Sequence, residues 1–372
     1  MQTGTDLKDK AQSPFEWIVT NVGRILISLF VPLVTFLVLW QGFVFLRDSQ
    51  APKVVISMVA IVWGVGGAGL LYVVANWLVE KLPDRWKKQL VPFVFVGPAV
   101  AILIWFLFLP TLRTLYLSFF NNNSTQFVGL KNYIAIFTER SMFESYRNNL
   151  LWIIFGTAGS VGFGLIIAVL ADRSSFENYA KSLIFLPMAI SFVGAGVIWR
   201  FIYYYRPENQ VQIGLLNAIV TGLGGQPQAW TTLLQPWNNF FLIFIMVWLQ
   251  TGYAMVIFSS AIKGVPEEML EAARVDGANE FEIFFKIIIP SIQGTIITVT
   301  TTIVIFALKI FDIVIVMTGG QYGTEVIATQ FYRQFFSNRN FGYGSAIAIL
   351  LLVAVIPIMI YNLKQFGERE AF

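Results

Sequence analysis

Two long stretches without a charge limit what this chain can fold into. Between Arg24 and Arg47 lie 22 uncharged residues, and between Lys53 and Glu80 lie 26. Wound as a helix, the shorter of the two spans about 33 Å, enough to cross the hydrocarbon core of a bilayer. Further apolar segments follow at 89–112, 148–171, 182–203, 240–262, 291–317 and 343–363. Lipid offers no partner for a free N–H or C=O, so segments of this kind are helices. The expected fold is all-α: a polytopic membrane protein with eight transmembrane helices.

Composition agrees with that expectation. Of 372 residues, 56% are hydrophobic and only 12% charged, with 35 Phe and 11 Trp, which no soluble domain of this size carries. The net charge of +4 gives no argument for nucleic acid. With no Cys and no His, disulfides, thiolate or imidazole nucleophiles and His/Cys metal sites are excluded for this chain. The opening residues mix charges of both signs and lack a small-residue cleavage site, so the first apolar stretch reads as a retained span. Ser13-Pro14-Phe15-Glu16 supplies a cap, a proline at the first helical position and an acid at the third.

Lys81, Arg85, Lys87 and Lys88 form the densest basic cluster, which the positive-inside rule places in the cytoplasm. Eight crossings then put both termini and the 263–290 loop on that same side, which holds 14 of the 25 Lys and Arg. Glycines at 64, 66, 67 and 69, and again at 156, 159, 162 and 164, suit close helix approach. Tyr203-Tyr204-Tyr205 fits an outer aromatic belt, and 206–238 is the longest polar connection.

The 263–290 loop is the polar exception, with nine charged residues in 28. Pro266 suits a first helical position, Glu267 and Glu268 face the positive end of a helix dipole, and Gly277 suits a left-handed turn near Asp276. Asn279 and Glu282 have capping-box spacing, and Pro290 closes the segment. The pattern predicts helix, tight turn, helix. Met269, Ala272, Ala273 and Val275 would give the first helix a smooth side, which fits either a docking surface or an amphipathic loop resting on the membrane.

The order Glu271-Ala272-Ala273, Asp276-Gly277-Ala278, then Phe285, Ile288 and Pro290 resembles the EAA loop of permease subunits of binding-protein-dependent ABC importers. Upstream, PFVFVGPAV, LPTLRTLYLSF and FVGLKNY resemble the start of the six-span core of carbohydrate permeases of the maltose/α-glucoside type. The resemblance implies a type I ABC importer permease fold. It divides the chain into an N-terminal segment with two additional spans (1–90), the first core span and outer loop (91–143), the permease domain (144–363) with coupling loop 263–290, and a cytoplasmic tail (364–372). It also implies that Glu271, Ala272, Ala273, Asp276 and Gly277 form the joint to an ATPase.

The implied partners are a second homologous permease subunit, a dimer of ATP-binding subunits, an extracytoplasmic solute-binding protein, a sugar substrate and membrane lipids. The expected location is the inner membrane. No GxxxxGK[ST] occurs, so ATP and Mg belong to the ATPase subunits and this chain carries no cofactor and no catalytic site.

Sugars offer apolar CH patches ringed by hydroxyls, and are held by aromatic faces beside amides and carboxylates. The sixth span supplies Trp248, Gln250 and Tyr253; the seventh supplies Phe311 and Asp312. Aromatic residues at this spacing also serve as plain packing. Lys309 and Asp312, three apart and expected on one helix face, read either as substrate contacts or as a self-neutralising pair near the outer interface. Gly252-Tyr253 stands where many sugar permeases have Pro-Phe, and the flanking segments are similar to the α-glucoside branch. Glucosylglycerol, sucrose and trehalose thus fit at least as well as maltose. An ion-coupled secondary transporter would need carboxylates within its spans, where only Asp312 qualifies. A membrane-embedded enzyme would need catalytic carboxylates or a metal site facing water.

Overall fold

A computed structural model describes residues 14–82, 84–232 and 236–369. Ser13 of the expected first cap and the extreme ends of the chain lie outside the described residues. The structure is built from helices, and the described residues divide into two compact units, Met1–Pro110 and Thr111–Phe372.

In the first unit, α1 (Pro14–Asp48), α2 (Lys53–Glu80) and α3 (Asp84–Leu103) follow one another through short connections. The Trp63 indole donates to the Leu39 carbonyl at 2.9 Å, joining α1 to α2. Of the glycines expected to bring these helices close, only Gly67 does so: a Cβ there would lie 2.9 Å from the Leu39 side chain, while Gly64, Gly66 and Gly69 face open space. Large apolar side chains such as Val62, Val65 and Phe93 are at least 70% exposed, the surface a lipid-facing helix presents.

In the second unit α4 (Leu109–Leu117) leads to α5 (Lys131–Thr138) and α6 (Arg140–Leu151). The latter continues through a wide π-type turn at Trp152–Gly156 into α7 (Thr157–Asp172). Next come α8 (Glu177–Phe185), α9 (Phe192–Ile202), α10 (Leu215–Gly222) and α11 (Trp237–Lys263). The remaining elements are α12 (Glu267–Val275), α13 (Glu280–Ile283), α14 (Ile289–Ser291), α15 (Gln293–Leu308), α16 (Asp312–Met317), α17 (Ile327–Tyr332) and α18 (Phe341–Arg369).

Against the eight expected crossings, six of the described helices are long and apolar enough to cross a membrane, and two bent pairs bring the number to eight if each is one span. The fifth span is not one helix. It bends by 101° between Glu177–Ala189 and Phe192–Ile202, where Pro187 withdraws a backbone donor and Ser191 starts a new helix by accepting from the Gly194 N–H at 3.0 Å. The seventh span bends by 71° between Glu280–Ser291 and Gln293–Leu308, so the first of its two helices ends one residue past Pro290. A second π-type turn, Phe284–Ile288, precedes that proline, as Ile104–Phe108 precedes Pro110. A proline cannot donate to the carbonyl four residues back, and a widened turn relaxes the clash.

The core lies where α6–α7 and α11 run parallel. Gly156 meets Met246, Gly159 meets Val247, and a Cβ on Gly164 would fall 2.5 Å from the Ala254 Cβ and 3.0 Å from the Met255 nitrogen. Gly162, expected to share this role, faces nothing within 4 Å. Trp152, Met246, Met255, Phe258, Ile303 and Ile313 are fully buried around this seam. Lipid tails are as apolar as these side chains, so close packing and interhelical hydrogen bonds, rather than transfer from water, hold the seam together.

Candidate functional site

The loop after α11 folds as its punctuation predicts. Pro266 is the residue before α12 rather than its first, and Glu267 and Glu268 occupy the first turn with Arg274 in the last, each charge favourable to the helix dipole. At the other end Gly277 has φ +85°, its N–H donates to the Arg274 carbonyl at 3.1 Å, and the Ala278 N–H donates to the Ala273 carbonyl at 2.9 Å. This paired closure requires the left-handed residue and brings Ala273 against Ala278, both packed on buried Val265, Ile283 and Ile288. Ala273 therefore belongs to the inner side of α12 and does not share the docking side with Met269, Ala272 and Val275. A complete capping box follows: the Glu282 N–H donates to the Asn279 side chain at 3.0 Å and the Asn279 N–H to the Glu282 carboxylate at 3.1 Å.

The outward side of this elbow holds exposed Glu271, Ala272 and Asp276, together with Met269, Val275 and Phe281. Val275 is 87% exposed and Phe281 78%. Glu271 makes no hydrogen bond or ion pair among the described residues. Behind this face Glu280 accepts from Arg173, at the end of α7, at 2.5 Å and from Arg274 at 3.2 Å. Arg274 and Arg173 hold its carboxyl below the ordinary carboxylate range. Glu177 pairs with Lys181 and Lys263, each at 2.5 Å, and Lys181 also pairs with Asp172, which accepts from the Ser259 hydroxyl at 2.7 Å. The Arg173–Glu280 pair thus ties the elbow to the end of α7, and the Glu177 and Lys181 pairs tie α7, α8 and the end of α11 together; sequence reading missed them, since Arg173 and Glu280 are 107 residues apart.

Of the six residues considered for substrate, two come together. Gln250 and Tyr253 of α11 line a cavity of about 240 Å³ with Met188, Ile190 and Phe192 from the break between α8 and α9, and Thr302 and Phe306 of α15. Gln250 is only 5% exposed, yet its amide makes no hydrogen bond among the described residues. An amide that lines a cavity without a protein partner offers its donor and acceptor atoms to a ligand or water. Gly252 makes the break possible: a Cβ there would lie 2.6 Å from the Ile184 carbonyl and 2.9 Å from the Phe185 Cα.

The other four lie elsewhere. Trp248 packs edge-on against Trp199, with ring centres 5.5 Å apart. Lys309 and Asp312 do not share a helix face: α15 ends at Leu308 and α16 begins at Asp312, and no ion pair joins the two. The Asn149 amide donates to the Leu308 carbonyl at 3.0 Å and so ends the helix there. Lys309 lies over the Phe306 ring at 5.2 Å, and Phe311 packs on Tyr332 at 5.4 Å.

Two asparagine pairs escaped the sequence reading. Asn148 donates to the Gly323 and Glu325 carbonyls, each at 2.7 Å, Asn149 accepts from the Ile327 N–H at 2.8 Å, and Asn238 donates to the Tyr322 carbonyl at 2.7 Å. All three are buried, as is Asn239. They pin the 318–326 loop across the end of α6 and the start of α11. The available signal was the doublet itself, twice repeated beside apolar sequence (RNNLL and WNNFF).

The family described as "Binding-protein-dependent transport system inner membrane component" matches residues 160–366. The chain is 56% identical over 277 residues to the osmoprotective compounds uptake permease protein GgtC of Synechocystis sp., a match covering 74% of this chain and 99% of that protein. To the alpha-glucoside transport system permease protein AglF of Rhizobium meliloti it is 51% identical over 288 residues, covering 77% and 85%. The fold is shared with a subunit of a bacterial ABC transporter involved in import of the acidic polysaccharide alginate, with a TM-score of 0.65 at 19% identity over 76% of this chain and 99% of that one. The chain therefore belongs to the binding-protein-dependent transport system inner membrane components: multi-pass, non-catalytic permease subunits of ABC importers that work with a periplasmic binding protein and an ATPase that binds the ATP.

Proposed function

We propose that this permease imports a neutral α-glucoside-type solute, with osmoprotective glucosides such as glucosylglycerol, sucrose and trehalose in its range. The observation that carries the reading is Gln250, a 5% exposed residue whose side-chain amide has no partner among the described residues and which lines a cavity with Phe192, Tyr253 and Phe306 at a broken span. Irregular backbone beside a cavity at membrane depth is where transporters hold their cargo, and an amide among aromatic faces suits a sugar. Relatives named for osmoprotective compounds and for alpha-glucosides support the substrate class.

In this reading the chain pairs with a second, homologous permease, and two ATP-binding subunits carrying Mg and ATP dock on the α12 elbow from the cytoplasm, where both termini also lie. Glu271 contacts the ATPase groove, and Asp276 and Gly277 hold the turn. Closure of the ATPases moves the elbow, and the α11–α15 cavity passes from outward to inward access.

The test is ATPase activity of the complex in proteoliposomes, stimulated by binding protein and screened against trehalose, sucrose, maltose and glucosylglycerol. Stimulation by one or more of these is expected. Gln250→Ala should lower uptake by at least tenfold, the equivalent of about 1.4 kcal/mol, with assembly intact. Unchanged uptake in that variant removes the cavity from the pathway.

A further inference from the structure

A second concavity lies at the opposite end of α9 from the Gln250 cavity. It is a cleft of about 470 Å³ reached by Arg200, Tyr204, Thr231, Thr232, Gln321 and Tyr322. Such a volume is within the usual range for small-molecule sites. Phe192 opens α9 at the inner cavity and Arg200 sits in its last turn at the cleft, about 12 Å apart at 1.5 Å per residue. The α9 helix is thus a wall common to both, closed against α16 where a Cβ on Gly196 would lie 2.9 Å from Val316.

The cleft is preformed, because both its sides are held by buried amides. Asn217, fully buried, donates to the Tyr204 carbonyl at 3.1 Å and the Gln228 carbonyl at 3.0 Å, and accepts from the Trp230 indole at 3.0 Å. That fixes the tyrosine run against the segment bearing Thr231 and Thr232. Across the cleft, Asn238 holds the Tyr322 carbonyl, while Arg333 donates to the Gly319 carbonyl at 3.3 Å and pairs with Glu325 at 3.0 Å. Arg200 makes no hydrogen bond or ion pair among the described residues, and no carboxylate lines the cleft. Phenol faces, hydroxyls, one amide and one uncommitted guanidinium are groups that bind a polyhydroxylated neutral solute.

We infer that this cleft is a second solute site, in which a saccharide is held by Arg200 beside Tyr204 and Thr231 before it passes the α9–α16 contact to the Gln250 cavity. Its place as an earlier stop rests on the proposed transport reading; its ability to bind sugar does not.

The chain has no cysteine, so single thiols report cleanly. Gln321→Cys reports the cleft and Thr302→Cys the inner cavity, each in the assembled, nucleotide-free complex without binding protein. Labelling by a small maleimide is followed on this subunit as trehalose is raised, with proline at equal osmolarity as control. Trehalose is expected to slow modification of Gln321→Cys several-fold, and proline to leave it unchanged. Adding Arg200→Gln should remove that protection while protection of Thr302→Cys persists, which also shows that the double variant is folded. The inference is overturned if Gln321→Cys is unprotected at concentrations that protect Thr302→Cys, if proline protects equally, or if Arg200→Gln leaves protection intact. Protection of Gln321→Cys with none at Thr302→Cys keeps the cleft and removes the inner cavity from the proposed function.

Discussion

At the scale of single residues, what matters in this bundle is the space a side chain leaves free. Gly164 and Gly162 are two positions apart on one helix, yet a methyl at the first meets backbone and at the second meets nothing. Gly164→Ala should force α7 and α11 apart and cost about 1–3 kcal/mol, whereas Gly162→Ala should be neutral or stabilising by up to about 1 kcal/mol through helix propensity. Thermal unfolding of the two variants in detergent separates these outcomes. Sequence reading found the glycine cluster but could not tell its members apart, because facing direction depends on a partner helix about 90 residues away. The same limit explains why Gln250 and Tyr253 met at a cavity while Trp248, two positions before Gln250, turned to Trp199.

Elements show local rules holding until a distant group intervenes. The α12 elbow was legible almost to the residue, since dipole charges, a left-handed glycine and a capping box all act within a few positions. Gly277→Ala places an L-residue at φ +85°, a strain of about 1–2 kcal/mol that should loosen the turn. We expect reduced transport per ATP hydrolysed, with insertion unaffected; the ratio of uptake to phosphate release in proteoliposomes measures it. The seventh span was not legible in this way. Its apolar run continues past Lys309, yet the helix ends at Leu308, whose carbonyl accepts from the Asn149 amide arriving from α6.

Near the elbow, Glu177 titrates with a definite sign. Hydrogen bonds from Lys181 and Lys263 lower its carboxyl from an ordinary value of 4.5 to about 2. A depressed folded-state value means that these pairs contribute their full stability above pH 4.5 and lose it as pH falls toward 2. The gap in melting temperature between wild type and Glu177→Gln should therefore be constant above pH 4.5 and shrink below it. A gap that widens on acidification contradicts the pairing.

For the whole molecule, sidedness is the property most open to a direct check. The cysteine-free background allows Val275→Cys, on an 87% exposed elbow position, to be labelled in oriented vesicles. An impermeant thiol reagent should reach it in inside-out vesicles and not in right-side-out ones. Labelling from the outer face reverses the proposed orientation and removes the ATPase from the α12 elbow.

The sequence by itself determined that this chain is helical and membrane-embedded, which segments are apolar enough to cross, and where its charged elbow turns. Bilayer thickness, backbone hydrogen bonding and helix-end chemistry act on residues in order along the chain. Only the tertiary structure decided that the fifth crossing breaks at Pro187, that Gln250 opens into a cavity there, and that asparagines from two helices pin the 318–326 loop. Those outcomes depend on which side chains meet across the bundle, and pairings between residues far apart in the chain leave no period in the sequence that signals them.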